Sequence, residues 1–234
     1  MNKTDMKYLD SGAEKLGLPL SSKQLEQFSI YYQELVNWNR RINLTSITDS
    51  RDIQIKHFLD SLSVALAFKQ PILDADLGLV DVGAGGGFPG LPLKIAFPTI
   101  KLVLLEATAK KAAFLSHIEQ KLKLDKVEIL VGRAEEVAHK VQYREQFNIV
   151  LSRAVAPLAT LAELTLPFCV IGGRFIAQKK GAIDLEVSKA TRAIDVLGGS
   201  QPRVKRIELE EFTDERYLVI MEKVAATPAQ YPRR

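Results

Sequence analysis

Residues 78–91 read GLVDVGAGGGFPGL, in which a short apolar run leads directly into a loop rich in glycine. The apolar run is typical of a buried strand, and Gly83, Gly85 and Gly87 form a G-x-G-x-G pattern after it. Phe88 stands where the dinucleotide-binding pattern has its third glycine. Because ligands of open α/β sheets bind at the carboxyl ends of the strands, this loop is predicted to border a binding site.

The chain beyond this loop alternates between apolar strands and helices. Strands are predicted at residues 78–83, 101–106, 126–131, 147–152 and 173–178, and helices at 90–97, 108–123, 133–140, 157–168 and 182–197. Such alternation predicts an α/β fold, with a parallel sheet covered by helices on both faces. The last two strands, at 202–208 and 217–223, have no helix between them, so we expect an antiparallel pair at the sheet edge.

A separate helical segment precedes the first strand. Residues 22–38 and about 51–68 place apolar side chains at helical spacing and therefore predict two helices. Residues 70–78 have the composition of a linker. We expect residues 1–74 to form an N-terminal helical extension and residues 75–234 to form the α/β domain.

Composition excludes several classes of protein. The chain has 234 residues, 47% of them hydrophobic, and a formal net charge of +4. No apolar stretch approaches the roughly 20 residues of a membrane helix, and the first residues lack the apolar core of a secretory signal. The single cysteine, Cys169, has no partner for an intrachain disulfide. These features predict a cytoplasmic protein without membrane attachment.

Basic residues are concentrated late in the chain. Residues 168–206 contain eight lysines and arginines against three acidic residues. A local basic surface suits a polyanion such as RNA, since neutralising phosphates releases counterions. A solvated surface explains the charge equally well, so charge alone leaves both interpretations open.

Two features narrow the expected ligand to a nucleoside without phosphates. Glu106 ends the second predicted strand, 23 residues after Gly83, close to the spacing of an acid that accepts hydrogen bonds from ribose hydroxyls. Pro89 and Pro92 remove N–H donors that a pyrophosphate would need at a helix start. In this fold such a nucleoside points to S-adenosylmethionine. Asp81 is then predicted to face its ammonium or sulfonium charge, or alternatively to cap a turn or helix.

Several longer segments of the sequence resemble those of one known family. The segment DVGAGGGFPGLPLKIA at 81–96 resembles the cofactor loop of the small-subunit ribosomal RNA methyltransferase G family, also called glucose-inhibited division protein B. The resemblance continues through WNRRINLT (38–45), HFLDSL (57–62), LLEATAKKAAFL (104–115), GRAEE (132–136), SRAVAPL (152–158) and GGRFIAQKKG (172–181). It covers nearly the whole chain and is weakest before residue 20 and after residue 200.

The resemblance implies a class I methyltransferase fold, S-adenosylmethionine as donor, and methylation of N7 of one guanine in bacterial 16S ribosomal RNA. The cofactor contacts that it implies are Gly83, Phe88, Glu106, Ala107, Thr108, Ala134, Glu135 and Arg153. N7 of guanine has a free lone pair and no proton at neutral pH, so its methylation needs no general base. The enzyme is therefore expected to act mainly by orienting its substrates.

Four basic residues are predicted to contact the RNA: Arg153, Lys179, Arg40 and Arg41. Arg153 and Lys179 follow the fourth and fifth strands and so lie on one rim of the predicted sheet, although a salt-bridged strand end explains Arg153 equally well. Arg40 and Arg41 follow Trp38, and cations beside an aromatic ring are common in RNA-binding sites. Trp38 itself is predicted to belong to the core.

Other constellations are interpreted as structural. His57, Asp60 and Ser61 share a helix face, and we expect them to pack against a neighbouring loop or RNA rather than to form a hydrolase triad. No cysteine and histidine cluster has metal-ligand spacing. The alternatives that remain are a methyltransferase acting on a protein or small molecule, an NAD-dependent dehydrogenase, and a noncatalytic nucleotide-binding module. The protein is expected to act as a monomer.

Overall fold

The computed structural model describes residues 5–68, 77–153 and 156–233, and a seven-stranded sheet lies at its centre. The strands are β1 (Gly78–Val82), β2 (Lys101–Glu106), β3 (Val127–Val131), β4 (Phe147–Arg153), β5 (Cys169–Lys180), β6 (Arg203–Ile207) and β7 (Arg216–Glu222). Their order across the sheet is β3-β2-β1-β4-β5-β7-β6. The first five strands pair in parallel, and β7 pairs antiparallel with both β5 and β6. The predicted parallel sheet with a terminal antiparallel hairpin is confirmed.

Helices cover both faces of this sheet. They are α1 (Lys7–Lys15), α2 (Ser22–Asn39), α3 (Ser50–Ile53), α4 (Asp60–Leu62), α5 (Gly90–Ala96), α6 (Ala109–Leu122), α7 (Ala134–Val137), α8 (Leu158–Thr165) and α9 (Asp184–Val196). A π-helical segment, Gln54–Leu59, joins α3 to α4, and a 3₁₀ segment, Ser63–Ala67, follows α4. Residues 50–67 therefore form one continuous helical run, here called the 50–67 run.

Two differences from the predicted elements have physical causes. Helix α1 was not predicted, and a distant residue stabilises it: the side-chain oxygen of Gln54 accepts hydrogen bonds from the backbone N–H groups of Tyr8 and Leu9, both at 3.2 Å. Strand β5 begins at Cys169, four residues before the predicted start, because Cys169 pairs with Phe147 at the beginning of β4. The predicted boundary between residues 74 and 75 lies outside the described residues.

The two faces of the sheet pack into different apolar clusters. Side chains alternate between faces along a strand, and Leu79 and Leu151 belong to one cluster whereas Val80 and Val150 belong to the other. The cluster of Leu79 also contains buried residues of α1, α2, the 50–67 run, α5 and α6. The N-terminal helices therefore share a core with the sheet.

The same alternation places polar residues at the carboxyl edge of the sheet. Asp81, Glu106 and Arg153 each lie two residues after an apolar residue of the cluster that includes the N-terminal helices. Their side chains therefore leave the sheet on that face. Gln178 of β5 pairs in register with Arg153 and lies on the same face. The N-terminal helices thus cover the polar ends of β1, β2, β4 and β5.

Candidate active site

The glycine-rich loop after β1 is held in a conformation that requires glycine. Gly83, Gly85 and Gly87 have φ angles of 77°, 58° and 92°, which side chains rarely adopt. A Cβ atom at Gly87 would also lie only 2.6 Å from the Tyr31 hydroxyl oxygen. The backbone N–H of Gly83 donates to the carbonyl of Leu105 at 2.9 Å. The loop is therefore fixed between the end of β2 and helix α2.

Glu106 ties this loop to the end of β2. Its carboxylate accepts hydrogen bonds from the backbone N–H of Gly85 at 2.9 Å and of Thr108 at 2.8 Å, and its side chain is buried. The sequence places this acid near a ribose, whereas the structure gives it backbone partners on both oxygens. Because each carboxylate oxygen has a second lone pair, both contacts are compatible with a ribose hydroxyl, and that role stays a prediction.

Asp81 is fully buried, and only one of its two carboxylate oxygens accepts a hydrogen bond. Its Oδ2 atom accepts from the backbone N–H of Gly90 at 2.9 Å, whereas Oδ1 is buried with no hydrogen-bond partner. Burial raises the pKa of this carboxyl to about 7, although the Gly90 N–H and the Arg153 charge act against that rise. The structure thus shows the capping contact that was the alternative interpretation of Asp81. Its contact with a cofactor charge stays a prediction.

The start of α5 has no free N–H groups for a phosphate. Gly90 donates to Asp81, Leu91 donates to the carbonyl of Gly87 at 2.8 Å, and Pro92 has no N–H. Leu93 donates to the carbonyl of Pro89 at 3.3 Å. Residues 90–93 therefore offer no free N–H group to a pyrophosphate, and the expectation that this loop does not bind one stays a prediction.

A cavity of about 290 Å³ opens beside the loop, near the lower limit of typical small-molecule sites. It is lined by Val82, Gly83, Leu105, Ala107, Gly132, Arg133, Ala134, Glu135 and Leu164. The structure thus brings together four predicted cofactor contacts, Gly83, Ala107, Ala134 and Glu135. Sequence reasoning missed Arg133, which pairs with Glu135 at 3.5 Å and directly precedes Ala134 in the chain. It also missed Leu164 of α8, for which no local signal exists.

Arg153 is salt-bridged and stacked at the edge of the loop. One guanidinium nitrogen lies 3.1 Å from Oδ2 of Asp60 and donates to the carbonyl of Lys56 at 3.2 Å. The guanidinium carbon lies 4.9 Å from the centre of the Phe88 ring, and 14% of the side chain is exposed. The salt bridge matches one of the two interpretations from the sequence. Contact between Arg153 and the cofactor or RNA stays a prediction.

His57 packs between the N-terminal helices and the glycine-rich loop. Its ring stacks on Phe88 with centres 4.6 Å apart, Nδ1 lies 3.2 Å from the second terminal nitrogen of Arg153, and Nε2 lies 2.7 Å from Oγ1 of Thr45. Burial and the Arg153 charge lower the pKa of His57 to about 3. Ser61 donates instead to the backbone carbonyl of His57 at 2.6 Å. His57, Asp60 and Ser61 therefore form no hydrolase triad, and His57 packs against a neighbouring loop as expected.

Lys179 lies at the carboxyl edge of the sheet near the end of β5, but on the face opposite to Arg153. Its ammonium group lies 2.7 Å from Glu186 of α9 and donates to the carbonyl of Ala156 at 2.9 Å, with only 12% of the side chain exposed. Adjacent residues of a strand face opposite sides of a sheet, and Gln178 is the residue beside Arg153. The structure gives Lys179 a role in holding α9, and its contact with RNA stays a prediction.

Arg40 and Arg41 lie just beyond the end of α2, and both are exposed. Trp38 is partly buried and packs on Phe114 of α6 with ring centres 5.7 Å apart, so its predicted place in the core is confirmed. The two arginines therefore follow an anchored aromatic residue and extend into solvent.

Neither a metal-binding cluster nor a membrane-spanning helix is found among residues 5–68, 77–153 and 156–233. In these ranges no group of three or more histidine, cysteine, aspartate or glutamate side chains is arranged to hold a metal ion. None of the helices described there is both long and apolar enough to cross a membrane.

Comparison with known proteins gives one consistent result. The family model for rRNA small subunit methyltransferase G (GidB) matches residues 24–216. A protein named ribosomal RNA small subunit methyltransferase G from Dehalococcoides mccartyi is 56% identical over 98% of this chain and 96% of its own length. A protein of the same name from Roseiflexus castenholzii is 51% identical over 94% of this chain and 92% of its own length.

Solved structures agree with this result at the level of the fold. A SAM-dependent O-methyltransferase from Thermotoga maritima superposes with a TM-score of 0.54 at 15% identity, over 83% of this chain and 72% of that one. At this identity the likeness shows the fold alone. The arrangement of the sheet and its helices is the class I methyltransferase fold.

Proposed function

The chain belongs to the rRNA small subunit methyltransferase G family, and from this premise we propose that it methylates N7 of one guanine in 16S ribosomal RNA. The protein is an enzyme of the class that transfers methyl groups from S-adenosylmethionine to ribosomal RNA. The acceptor atom, the contacting residues and the monomeric state are the parts that we propose.

One observation supports the cofactor assignment most directly. The loop after β1 offers backbone and carboxylate groups to a nucleoside, while every N–H of residues 90–93 is absent or already bonded. A phosphate-bearing dinucleotide would find no donors there, whereas S-adenosylmethionine has no phosphate and carries positive charge at its other end. The unpartnered Oδ1 atom of Asp81 suits a positively charged group. The residues present therefore fit S-adenosylmethionine better than NAD.

We assign the cofactor contacts to residues around this loop and the cavity beside it. They are Gly83, Gly85, Gly87, Phe88, Asp81, Glu106, Ala107, Thr108, Ala134, Glu135 and Arg153. When bound, S-adenosylmethionine supplies an electrophilic sulfonium methyl group. In this assignment Glu106 accepts from the ribose and Asp81 balances positive charge. Leu105 and Leu164 contribute apolar walls to the cavity.

The proposed acceptor atom agrees with the hydrogen bonds of the site. N7 of guanine has no proton to lose, so the enzyme needs no general base. His57, the histidine that stacks on Phe88 of the loop, uses both ring nitrogens for contacts with Arg153 and Thr45. Because its pKa is lowered to about 3, it also has little basicity. The site is therefore suited to positioning the guanine rather than to removing a proton.

Arg40 and Arg41 are proposed to bind phosphates of the RNA. Both are exposed, and they lie on the segment that also contains Thr45, the partner of His57 at the glycine-rich loop. RNA bound by this segment would be held close to the cofactor site. A protein with a ribosomal substrate is further proposed to act in the cytoplasm, where ribosomes assemble.

The acceptor class is tested by incubating the purified protein with S-adenosylmethionine labelled on its methyl group. Naked 16S RNA, small ribosomal subunits from cells that lack this gene, and ribonuclease-treated extract from the same cells are compared. The proposal expects label in the RNA or the subunits and none in the treated extract. Label that persists in protein or small molecules after ribonuclease treatment would favour the alternative, a methyltransferase with another acceptor.

A further inference from the structure

The hydrogen bonds around His57 define which ring nitrogen holds its proton. A guanidinium group only donates, so the 3.2 Å contact with Arg153 makes Nδ1 of His57 an acceptor. In the neutral ring the proton then lies on Nε2, which donates to Oγ1 of Thr45 at 2.7 Å. The same oxygen accepts from the backbone N–H of Ile47 at 3.0 Å. His57 is therefore held in one tautomer and one orientation.

Thr45 is in turn fixed by the end of helix α2. Asn39 accepts hydrogen bonds from the backbone N–H groups of Leu44 at 2.7 Å and Thr45 at 2.9 Å, and donates to the carbonyl of Thr45 at 2.8 Å. A continuous series of hydrogen bonds thus runs from Asn39 through Thr45 and His57 to Arg153. It joins the segment that contains Arg40 and Arg41 to the carboxyl end of β4.

We propose that His57 and Thr45 are positioning residues for Arg153, which they hold in one orientation beside the glycine-rich loop. The inference rests on the proposed function, in which Arg153 contacts the cofactor or the guanine. Thr45 bonds to Nε2 of His57, and Nδ1 of His57 lies against Arg153, so the proposal routes the effect of Thr45 on cofactor binding through His57 to Arg153.

The geometry explains why Asp60 alone would leave Arg153 loosely defined. Asp60 and the Lys56 carbonyl both bind the same guanidinium nitrogen, and among the described residues His57 accepts from the other terminal nitrogen. Acceptors on both terminal nitrogens hold the guanidinium group at two points, whereas acceptors on one nitrogen hold it at one end. His57 also contacts the Phe88 ring that lies beneath the guanidinium. Loss of the Nδ1 acceptor should therefore misorient Arg153 without removing it.

A double-mutant cycle tests this proposal. The dissociation constant of S-adenosylhomocysteine is measured by calorimetry for His57→Leu, His57→Asn and Thr45→Val, each in the wild-type and Arg153→Ala backgrounds. We expect His57→Leu to raise the dissociation constant about tenfold and Thr45→Val about threefold, the range for a lost hydrogen bond. His57→Asn places an oxygen near the former Nδ1 atom and should restore part of the affinity. In the Arg153→Ala background all three effects should fall below about twofold.

Control variants separate positioning from general loss of structure. His139→Leu and Thr191→Val make the same chemical changes at residues whose side chains bond to the Pro232 and Val187 carbonyls, outside the series that leads to Arg153, and should not change the dissociation constant. If His57→Leu fails to fold, Thr45→Val and His57→Asn still complete the cycle. Effects that persist undiminished in the Arg153→Ala background would overturn the proposal.

Methyl transfer to 16S RNA by the wild-type protein is measured on the same preparation. A wild-type protein that binds S-adenosylhomocysteine but methylates no RNA would contradict the proposed function. If the wild-type protein methylates RNA but the effects of the substitutions on the dissociation constant are additive, only the positioning role of His57 and Thr45 is contradicted.

Discussion

The carboxylate of Asp60 in the N-terminal helical segment lies 3.1 Å from the guanidinium of Arg153 at the end of β4. Asp60 also lies 3.7 Å from Arg216 of β7, and its backbone carbonyl accepts from Gln178 of β5 at 2.6 Å. One residue of the 50–67 run therefore contacts three strands of the sheet. The N-terminal helices are fastened to the carboxyl edge of the sheet through this residue as well as through the shared apolar core.

We predict that Asp60→Asn destabilises the protein by about 3 kcal/mol. The side chain of Asp60 is 8% exposed, and removing its charge leaves the largely buried Arg153 without its carboxylate partner and Arg216 with the more exposed Asp214. The free energy of unfolding in urea measures the effect. Asp52→Asn is a matched control on the same helical run, because the Asp52–Lys56 pair is solvent-exposed and should contribute less than about 1 kcal/mol. Equal losses in the two variants would contradict this interpretation of Asp60.

The buried carboxyl of Asp81 predicts a characteristic dependence of stability on pH. Burial raises its pKa from 3.8 in the unfolded chain to about 7, so the folded protein binds more protons than the unfolded chain between these values. The contribution of Asp81 to stability therefore falls as the pH rises from about 4 to about 7. In Asp81→Asn this loss is absent, and the melting temperature of the variant relative to wild type should rise between pH 5 and pH 8. A constant difference across this range would contradict the raised pKa.

Glu106→Ala is predicted to weaken cofactor binding by about 1.5–3 kcal/mol, the range for lost hydrogen bonds to a charged group. Two effects contribute, because the variant loses the proposed ribose acceptor and releases the Gly85 and Thr108 N–H groups that fix the loop. Calorimetry with S-adenosylhomocysteine measures the change, and circular dichroism verifies that the variant folds. Unchanged affinity in a folded variant would remove Glu106 from the cofactor site.

Replacement of Arg40 and Arg41 by alanine is predicted to weaken RNA binding and to reduce its dependence on salt. Each phosphate contact that is lost should lower the slope of log K against log salt concentration by about 1. Lys189→Ala with Arg192→Ala on α9 is the matched control, since these exposed cations belong to the basic stretch 168–206. If only the α9 pair changes the slope, the RNA binds the surface formed by α9 and not the segment after α2.

Much of the fold could be predicted because its signals are local. Apolar runs separated by glycine and proline defined the strands, and the G-x-G-x-G loop identified the binding edge. Helix α1 could not be predicted, because the group that caps its first turn is Gln54, about 45 residues away. Strand β5 is apolar on both faces, with Ile176 packing on one side and Ala177 on the other. Its pattern therefore gave no indication of which face Lys179 would occupy at the rim that it shares with Arg153.

The candidate site shows the same division between local and distant signals. Gly83 was predicted from the glycine pattern that directly follows a strand, whereas Ala107, Ala134 and Glu135 were predicted from the family resemblance. The surroundings of Arg153 were not foreseen, because His57 and Asp60 lie more than 90 residues before it in the chain. Contacts between distant segments are set by the packing of helices on the sheet, which no local pattern encodes.

Identification of the methylated nucleoside tests most directly the proposal that this protein methylates N7 of one guanine in 16S RNA. Small subunits from cells that lack this gene are treated with the purified protein and S-adenosylmethionine, and their 16S RNA is digested and analysed by mass spectrometry. We predict one N7-methylguanosine per RNA, absent from untreated subunits and nearly absent with Arg153→Ala. A methyl group on another atom or base, or transfer by Arg153→Ala at the wild-type rate, would contradict it.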